Sequence, residues 1–451
     1  MKLPNDLRPD GLFEDDTIDL AHEAIVRPLR TEPLPAEYPG VHGMDELEVQ
    51  EVLRVCRSRS FYRYYGIAPP REVSSFEDEF AEFLGVRHVL AVTSGTAALH
   101  TALSALKVGP GQEVIVPAYM WVSVVAAVVN LGAIPVLADI DNTFCMDPED
   151  LARKITPRTT AVIAVHMNGA PANILAIREV TRRHNVFLVE DCAQCVGGSI
   201  DGQCVGTFGD LAIFSFQMNK NMSCGEGGAV ATNDERLYRR AIACHDSGYA
   251  RDDNNTVVWS DAGSYSWGRG YRMDELRASI LRVQLRKVDQ TIARMTRSKY
   301  RIRSFLETRR EISLRRIIDP KGDTGCFLIT TYKTERHARL ANKALRDLGI
   351  AGPCMTTSNV ILEDYGLHIY FNIPALVMKI GTDARGTPWT LMENRESNCS
   401  YIRGTCPKAD DLFERSQILA IPSCLTSEDE DGIINGFRVA LDGLERFENS
   451  K

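Results

Sequence analysis

The sequence lacks a strong charge of either sign, because 52 lysines and arginines stand against 60 aspartates and glutamates over 451 residues. A net charge of −8 provides no basic field that could displace the counterions of a nucleic acid, so we expect no nucleic-acid partner. One local basic pocket for a small anion stays compatible with this composition. Hydrophobic residues make up 44% of the chain, which excludes disorder of the whole chain and indicates a globular protein.

Long hydrophobic runs are also missing. The first residues, MKLPNDLRPDGLFEDD, are acidic and interrupted by proline, unlike a signal peptide. The most apolar stretch, 119–138, is interrupted by Ser123, Asn130 and Pro135, whereas a membrane helix needs about 20 mostly apolar residues. The sequence therefore predicts a cytoplasmic protein without a membrane partner.

The sequence has one C-x-x-C, Cys192 to Cys195. It lacks a second cysteine pair, or histidines, at the spacing from this pair that a metal site requires. A structural zinc site requires four such ligands, so we expect no metal. We interpret the twelve cysteines as reduced, small buried residues of a cytosolic protein. Redox or metal use of the pair is the alternative interpretation.

Strand and helix patterns alternate along the first half of the sequence. Continuous apolar runs predict buried strands, and the segments between them predict helices. The predicted strands are 89–92, 113–117, 135–139, 160–166, 186–191, 211–216 and 228–231, and the predicted helices are 96–106, 122–131, 147–155, 173–184 and 234–244. This alternation predicts an α/β fold in which helices cover both faces of a mostly parallel sheet.

The rest of the chain differs from this region. Residues 1–43 carry prolines and charges without periodicity, which predicts an N-terminal extension or arm. We expect a large domain at 44–296 that ends in a long connecting helix at about 273–296, and a smaller α+β domain at 297–451. The polar loop 249–267 is too long for a simple connection, which indicates an active-site or subunit-contact loop.

The first of three candidate motifs is Thr93-Ser94-Gly95-Thr96, which runs directly into a predicted helix. The unpaired N–H groups and the positive dipole end of a helix N-terminus bind anions. Serine and threonine are also common helix caps, so the tetrapeptide alone is explained more simply by an ordinary cap.

The second motif is the strand VFLVED, which ends in Glu190 and Asp191. Ligands of open α/β sheets gather at the carboxyl ends of strands, where a carboxylate can pair with a cationic ring nitrogen. An acidic helix cap is the alternative interpretation.

The third motif is FSFQMNKNMSCGEGG, in which Lys220 precedes a glycine-rich turn. A lysine held in restricted polar surroundings loses its proton more easily and can form a Schiff base. Ser215, five positions earlier, could add a phosphate contact. A solvated surface lysine is the alternative interpretation.

The order of the three motifs resembles that of fold type I pyridoxal-phosphate (PLP) enzymes. More closely, the chain resembles the DegT/DnrJ/StrS family of sugar and cyclitol aminotransferases over roughly residues 45–445. The resemblance rests on TSGTAALHTAL, VIVPAYMWVSVVAAVVNLGAIPVLADID, EDCAQCVGGSIDGQCVGTFGD, FSFQMNKNMSCGEGGAVATND and GYRMDEL. It implies a large three-layer α/β/α domain and a smaller α+β C-terminal domain.

The resemblance also implies a role for each motif residue. Lys220 would carry PLP as an internal aldimine and move the proton of the substrate carbon. Asp191 would pair with the pyridine nitrogen and keep it protonated, and Trp121 would stack on the ring. The residues that would hold the phosphate are Ser94, Gly95, Thr96 and Ser215. Gln194 would lie near the ring hydroxyl, which places the two flanking cysteines in a cofactor loop.

Three more residues are candidate substrate contacts, namely His166, Tyr271 and Arg272. His166 follows a predicted strand, and structural packing is the alternative role. Family members usually have an asparagine before Tyr-Arg-Met, which contacts the phosphate of the neighbouring subunit. Gly270 stands there in this chain, so Arg269 or a backbone amide would have to make that contact.

We therefore expect a homodimeric PLP aminotransferase with active sites at the subunit interface, active in amino sugar, aminocyclitol or other secondary-metabolite biosynthesis. The amino group of glutamate or glutamine would pass through pyridoxamine phosphate to a keto-sugar or keto-cyclitol. Segments 249–268 and 368–391 would shape the acceptor pocket.

Other functions remain as alternatives. A PLP- or pyridoxamine-phosphate-dependent sugar dehydratase shares the fold, but Lys220 argues against it because such relatives tend to have histidine there. A non-catalytic sensor is a second alternative. A nicotinamide-dependent dehydrogenase is set aside, because no G-x-G-x-x-G follows the first strand.

Overall fold

A computed structural model describes residues 29–449, apart from residues 31, 70, 253–254 and 354–357. Of the predicted N-terminal arm at 1–43, residues 1–28 and 31 therefore lie outside the described part of the chain. Within the described residues, no helix combines the length and the apolar character that a membrane crossing requires.

The first part of the chain forms a seven-stranded sheet with the order β1-β9-β8-β5-β4-β2-β3. Its strands are β1 His88–Val92, β2 Glu113–Pro117, β3 Ile134–Ala138, β4 Thr159–Val165, β5 Phe187–Asp191, β8 Leu211–Ser215 and β9 Gly228–Thr232, and β6 Ser199–Ile200 and β7 Gln203–Cys204 form a separate hairpin. The five neighbouring strands β8, β5, β4, β2 and β3 run parallel to one another. Strand β9 is antiparallel to both of its neighbours, β1 and β8. The predicted mostly parallel sheet is confirmed.

Helices cover both faces of this sheet. They are α1 Glu46–Ser58, α2 Glu72–Leu84, α3 Gly95–Ala105, α4 Ser123–Asn130, α5 Pro148–Lys154, α6 Ile174–His184, α7 Glu235–His245 and α8 Glu275–Leu306. Strand β1 shows the alternation that a doubly covered sheet requires. Val89 and Ala91 pack in the cluster that contains residues of α2 and α8, and Leu90 and Val92 pack in the cluster that contains α3 and α7.

The topology places the three motifs at one edge of the sheet. Strands β1, β5 and β8 point in the same direction, because β9 is antiparallel to both β1 and β8 and β8 is parallel to β5. Thr93 directly follows β1, and β5 and β8 end in Asp191 and Ser215. This is the edge at which open α/β sheets bind their ligands.

The smaller C-terminal domain is built on a four-stranded antiparallel sheet with the order β10-β11-β13-β12. Its elements are β10 Ile312–Leu314, β11 Phe327–Tyr332, α9 Glu335–Asp347, β12 Asn359–Ile361, β13 Ser416–Ala420 and α12 Ser427–Asn449. Helix α8 reaches this domain because it continues to Leu306, ten residues beyond the predicted end. Its last turns bury Ile302 and Leu306 in the core of the small domain.

The segment between β12 and β13, which contains α10 Pro374–Val377 and α11 Pro407–Arg415, returns to the large sheet. Ile369, Tyr370 and Phe413 belong to the same buried cluster as strands β2 and β4. The hydroxyl of Tyr401 donates to the Pro135 carbonyl oxygen at 2.6 Å. This segment therefore forms one wall of the ligand edge, and the domain boundaries at 44–296 and 297–451 remain a prediction.

Candidate active site

A cavity of about 350 Å³ opens at the carboxyl edge of the large sheet. The small domain closes one side of it with Cys326 and Phe327. All eight residues that were predicted to bind the cofactor line this cavity, namely Ser94, Gly95, Thr96, Trp121, Asp191, Gln194, Ser215 and Lys220. Residues that lie up to 126 positions apart in the sequence are thus brought into one site.

An anion pocket lies where α3 begins. The Ser94 Oγ caps the helix by accepting from the Ala97 N–H at 3.1 Å. Gly95 packs so closely that a Cβ atom there would lie 2.8 Å from the Ser215 Cβ. The Thr96 Oγ1 and the Ser123 Oγ form a hydrogen bond of 2.7 Å, so Ser123 belongs to this pocket although the sequence did not single it out. Hydroxyls around the N-terminus of an eleven-residue helix suit a phosphate group.

Lys220 and Asp191 form the charged centre of the cavity. Burial lowers the pKa of Lys220, and the charge of Asp191 opposes that shift. Burial raises the pKa of the Asp191 carboxyl, and the Ala193 N–H, which donates to Oδ1 at 3.0 Å, and Lys220 act against it. A lysine with a lowered pKa is partly available as a free amine, which is the form that attacks a carbonyl carbon.

Trp121 and His368 form the aromatic side of the cavity. Trp121 is 44% exposed, and its ring lies 4.8 Å from the ring of His368. Burial lowers the pKa of His368 to about 3, so this histidine is neutral near pH 7. Its Nε2 lies 3.4 Å from the Gln194 Nε2, and the Gln194 Oε1 accepts from the Asn168 N–H at 2.9 Å.

His368 and Tyr365 are lining residues that the sequence did not identify individually. Their rings stack with centroids 4.1 Å apart. Both come from the segment that returns from the small domain, and His368 is the first residue of the predicted acceptor segment 368–391. Among the described residues, none from 369–391 and none from the polar loop 249–268 lines the cavity of this chain.

His166 lies behind the cavity wall. It is fully buried, its Nε2 lies 3.0 Å from the Glu190 Oε2, and its Nδ1 accepts from the Ala172 N–H at 3.0 Å. The His166 N–H donates to the Asp191 carbonyl oxygen at 3.0 Å. The Glu190 carboxylate is held by three further N–H groups, those of Gly206, Phe208 and Gly209. This network fixes the end of β5 and makes His166 a support for Asp191. His166 is not among the described residues that line the cavity, and its substrate contact stays a prediction.

Tyr271 and Arg272 also lie outside the cavity lining. The ring of Tyr271 packs edge-on against His100, and the Arg272 guanidinium pairs with Asp246 at 2.8 Å. Gly270 has a φ of +69°, a left-handed conformation that glycine adopts without strain. The phosphate contact expected from Arg269 or a backbone amide would be made to a second copy of the chain, so it stays a prediction.

Three possible metal ligands lie close together beside the C-x-x-C. Ligand atoms of His166, Glu190 and Cys192 lie within 4.8 Å of one another. The histidine and glutamate atoms already take part in the hydrogen bonds of the β5 support, and burial raises the pKa of the Cys192 thiol well above its usual range. Cys192 and Cys195 are fully buried free thiols that flank Gln194.

Residues 43–353 match the DegT/DnrJ/EryC1/StrS aminotransferase family. The chain belongs to this family. Within it, a GDP-perosamine synthase from Vibrio cholerae is 40% identical over 221 residues, which cover 49% of this chain and 58% of the relative. An L-glutamine:2-deoxy-scyllo-inosose aminotransferase from Streptoalloteichus tenebrarius is 37% identical over 285 residues, 62% of this chain and 66% of the relative. These matches span about three fifths of the relatives' length.

Solved structures extend the DegT/DnrJ/EryC1/StrS likeness to the whole fold. The crystal structure of 3-amino-5-hydroxybenzoic acid synthase has a TM-score of 0.73 at 28% identity and covers 92% of this chain and 100% of that chain. The X-ray structure of an aminotransferase from Psychrobacter cryohalolentis has a TM-score of 0.74 at 26% identity, with 92% and 99% covered. The predicted fold class is confirmed.

The family implies PLP, and the residues of the cavity fit this group. Gly95 leaves room beside Ser215 at the anion pocket, which suits the phosphate. Asp191 offers a carboxylate, Lys220 an amine and Trp121 an aromatic face, all on one cavity. The anion pocket suits the phosphate of PLP, the carboxylate its ring nitrogen, the amine its aldehyde and the aromatic face its ring.

Proposed function

We propose that this protein is a PLP-dependent aminotransferase that moves an amino group from glutamate or glutamine to a keto-sugar or keto-cyclitol. The observation that supports this most strongly is that Lys220, Asp191 and the anion pocket share one cavity. The relatives named as L-glutamine:inosose aminotransferase and GDP-perosamine synthase are consistent with it.

Each cavity residue has a separate role in the proposed reaction. When bound, PLP supplies an electron sink for the substrate carbon that loses its proton. The Lys220 Nζ would take that proton and return it, because its lowered pKa makes the neutral amine accessible. The Asp191 carboxylate would keep the pyridine nitrogen protonated by a charge-assisted hydrogen bond. Ser94, Thr96 and Ser215 would hold the phosphate, and Trp121 would provide an aromatic surface for the ring.

Lys220 also separates this function from its alternatives. Dehydratases of this fold tend to have histidine in place of the lysine, and a cofactor-free sensor has no use for a buried amine. Here the lysine lies in the cavity beside a carboxylate, as transamination requires. The alternatives are not favoured.

We further propose a cytoplasmic homodimer with active sites at the subunit interface. Trp259 and Trp267 of the polar loop are 70% and 90% exposed, and large apolar side chains of this kind are buried in many subunit interfaces. Sedimentation at several protein concentrations tests the dimer. A purely monomeric protein at micromolar concentration would contradict it.

The half-reaction with L-glutamine tests the proposed function. The PLP-loaded protein should lose the absorbance of its lysine-bound cofactor when L-glutamine is added, and the K220A variant should show neither this absorbance nor turnover. The K321A variant is the matched control, because Lys321 is exposed and lies away from the cavity lining. Full activity of K220A would contradict the assignment.

A further inference from the structure

The proposed function assigns no role to the N-terminal arm, part of which lies against Lys220. The arm segment, residues 34–43, stands just ahead of the residues that match the family, 43–353. The lysine loop, residues 216–227, connects β8 to β9 and carries Lys220. The contacts between the arm segment and the lysine loop indicate what the arm does.

The arm segment meets the lysine loop at Gly40. The Gly40 N–H donates to the carbonyl oxygen of Lys220 at 3.0 Å. A Cβ atom at Gly40 would lie 2.9 Å from that oxygen, and 3.0 Å from both the Asn221 carbonyl oxygen and the Ser223 nitrogen. All three are main-chain atoms, which cannot rotate aside as the end of a flexible side chain can. The two segments are therefore in direct main-chain contact around the lysine.

The glycine at position 40 is required for space and not for backbone conformation. Gly40 has a φ of −66° and a ψ of −36°, a right-handed conformation that residues with side chains adopt without strain. The obstacle to a side chain at this position is the lysine loop itself. The glycine therefore serves the close approach of the arm segment to Lys220.

On one side of Gly40, the arm segment is anchored on the small domain. Leu34 is buried in the core of that domain, and its N–H donates to the Ala351 carbonyl oxygen at 2.8 Å. The Ser423 hydroxyl donates to the Pro39 carbonyl oxygen at 2.8 Å. The residue that contacts the lysine loop thus directly follows a residue that is tied to the small domain.

On its other side, the arm segment is anchored on helix α8. The Lys287 amine donates to the Gly43 carbonyl oxygen at 3.0 Å and to the Glu48 Oε2 at 2.8 Å. The Glu48 Oε1 accepts from the Gln284 Nε2 at 2.7 Å, and the Gln284 Oε1 accepts from the Ser223 N–H at 3.4 Å. The lysine loop is therefore held a second time, through the buried Gln284, by residues at the end of the arm segment and beyond it.

The position of the Lys220 main chain sets where its amine can reach. Lys220 shares the cavity with Asp191 and with the anion pocket, which suit the ring nitrogen and the phosphate of PLP. A cofactor held at those two points presents its aldehyde at one place, and the amine must reach that place. Misplacement of reacting groups by about 1 Å can cost about 10²-fold in rate, so a fixed main chain at the lysine favours the bond.

We propose that the arm segment positions Lys220 for its bond with the cofactor and links that position to the small domain. Gly40 is the positioning residue, because its N–H holds the Lys220 carbonyl oxygen and its lack of a side chain lets the lysine loop approach. This inference rests on the function proposed above, in which Lys220 binds PLP.

Gly40→Ala tests the contact, because the new Cβ must push the arm segment and the lysine loop apart. Two ligands are titrated separately into the cofactor-free protein by calorimetry: PLP, whose aldehyde reacts with the lysine, and pyridoxamine phosphate, which has an amine in place of the aldehyde. We expect PLP binding to weaken about tenfold and pyridoxamine phosphate binding to change by less than about twofold. An equal loss for both ligands, or no loss for either, would overturn the proposal.

Gly43→Ala is the matched control in the same segment. A Cβ atom there would meet the Thr291 Oγ1 at 3.8 Å, an ordinary contact distance, and the main-chain bond to Lys287 is kept. We expect both ligands to bind as they do to the unaltered protein. A loss of PLP affinity as large as that in Gly40→Ala would contradict the assignment to Gly40.

Ser423→Ala tests the link to the small domain and leaves the contact at Gly40 unaltered. The change removes the hydrogen bond to the Pro39 carbonyl oxygen, so the arm segment loses one of its ties to that domain. We expect PLP binding to weaken about threefold, with pyridoxamine phosphate binding unchanged. Unchanged PLP binding would overturn the link, and it would overturn the whole proposal if the Gly40→Ala protein does not fold.

The two proposals fail in different ways. If L-glutamine removes the absorbance of the lysine-bound cofactor and Gly40→Ala binds both ligands as the unaltered protein does, the aminotransferase function stands and the positioning role falls. If Gly40→Ala weakens PLP binding alone and L-glutamine leaves that absorbance unchanged, the positioning role stands and the aminotransferase function falls.

Discussion

The cavity has two sides that are encoded in different ways. The cofactor side consists of Ser94 to Thr96, Asp191, Ser215 and Lys220, which stand in short motifs at the ends of strands of the large sheet. The acceptor side contains Glu37 and His368, which come from segments on either side of the large domain in sequence. Strand ends position the first side by hydrogen bonds within one sheet, whereas the second side depends on long-range packing. Changes to the two sides should therefore have separable effects.

Asp191→Asn should have the largest effect, and it tests whether the cofactor side acts in both half-reactions. An amide cannot hold a proton on the ring nitrogen as a carboxylate does, so we expect kcat to fall about 10³-fold in both. Single-turnover rates with L-glutamine and with the keto acceptor measure each half separately. A loss confined to the acceptor half would contradict the division.

His166→Ala tests whether the cofactor side depends on its buried support. The change removes the imidazole partner of the Glu190 Oε2 and leaves the Ala172 N–H without its buried acceptor, so we expect about 3 kcal/mol less free energy of unfolding. Urea denaturation measures this, with H184A as the control because His184 is exposed. If both variants had equal stability, His166 would have no supporting role.

Gly95→Ala tests the close packing of the anion pocket. The new Cβ would lie 2.8 Å from the Ser215 Cβ, so one side chain must shift and PLP affinity should fall about tenfold. Titration of the cofactor-free protein with PLP measures the affinity. The double change G95A and S215G removes the opposing Cβ and should recover part of the loss that the collision causes, whereas no difference between single and double variants would point to another cause.

His368→Gln should have the smallest effect, and it tests how the buried imidazole of the acceptor side contributes to stability. Burial lowers the pKa of His368 to about 3, whereas an unfolded histidine titrates near 6.5. Between these pH values the unfolded chain binds more protons, so this contribution to stability is present above pH 6.5 and is lost as the pH falls towards 3.

From pH 7 to pH 5 this histidine should account for about 1 kcal/mol of lost stability, allowing for its partial exposure. Urea denaturation of the H368Q variant at both pH values should show a correspondingly smaller loss on acidification. An identical loss in both proteins would mean that His368 takes up its proton equally well in the folded state.

The sequence predicts the large sheet well because its strands are short, apolar and bounded by clear helix signals. The helix predicted at 96–106 is α3 at Gly95–Ala105, and the strand predicted at 113–117 is β2 itself. The predicted cofactor residues lie at or shortly after the ends of strands, or at the start of a helix. Local sequence therefore predicts that they meet in one cavity, and their roles stay a prediction.

The acceptor side could not be predicted in the same way. Glu37 lies in an irregular segment whose path depends on Leu34 in one core and Gly40 against Lys220. His368 lies in a segment that crosses back from the small domain. Neither has a periodic pattern, because packing against distant parts of the chain positions both. His166 shows the converse, since a strand-end histidine is as suited to support as to contact.

The position of the cofactor bond tests the central claim most directly. Borohydride reduction of the PLP-loaded protein should fix the cofactor to its lysine, and digestion with mass spectrometry then locates it. The account predicts one modified peptide, which contains Lys220, and its loss in K220A. A cofactor fixed to another lysine, or to none, would contradict the account.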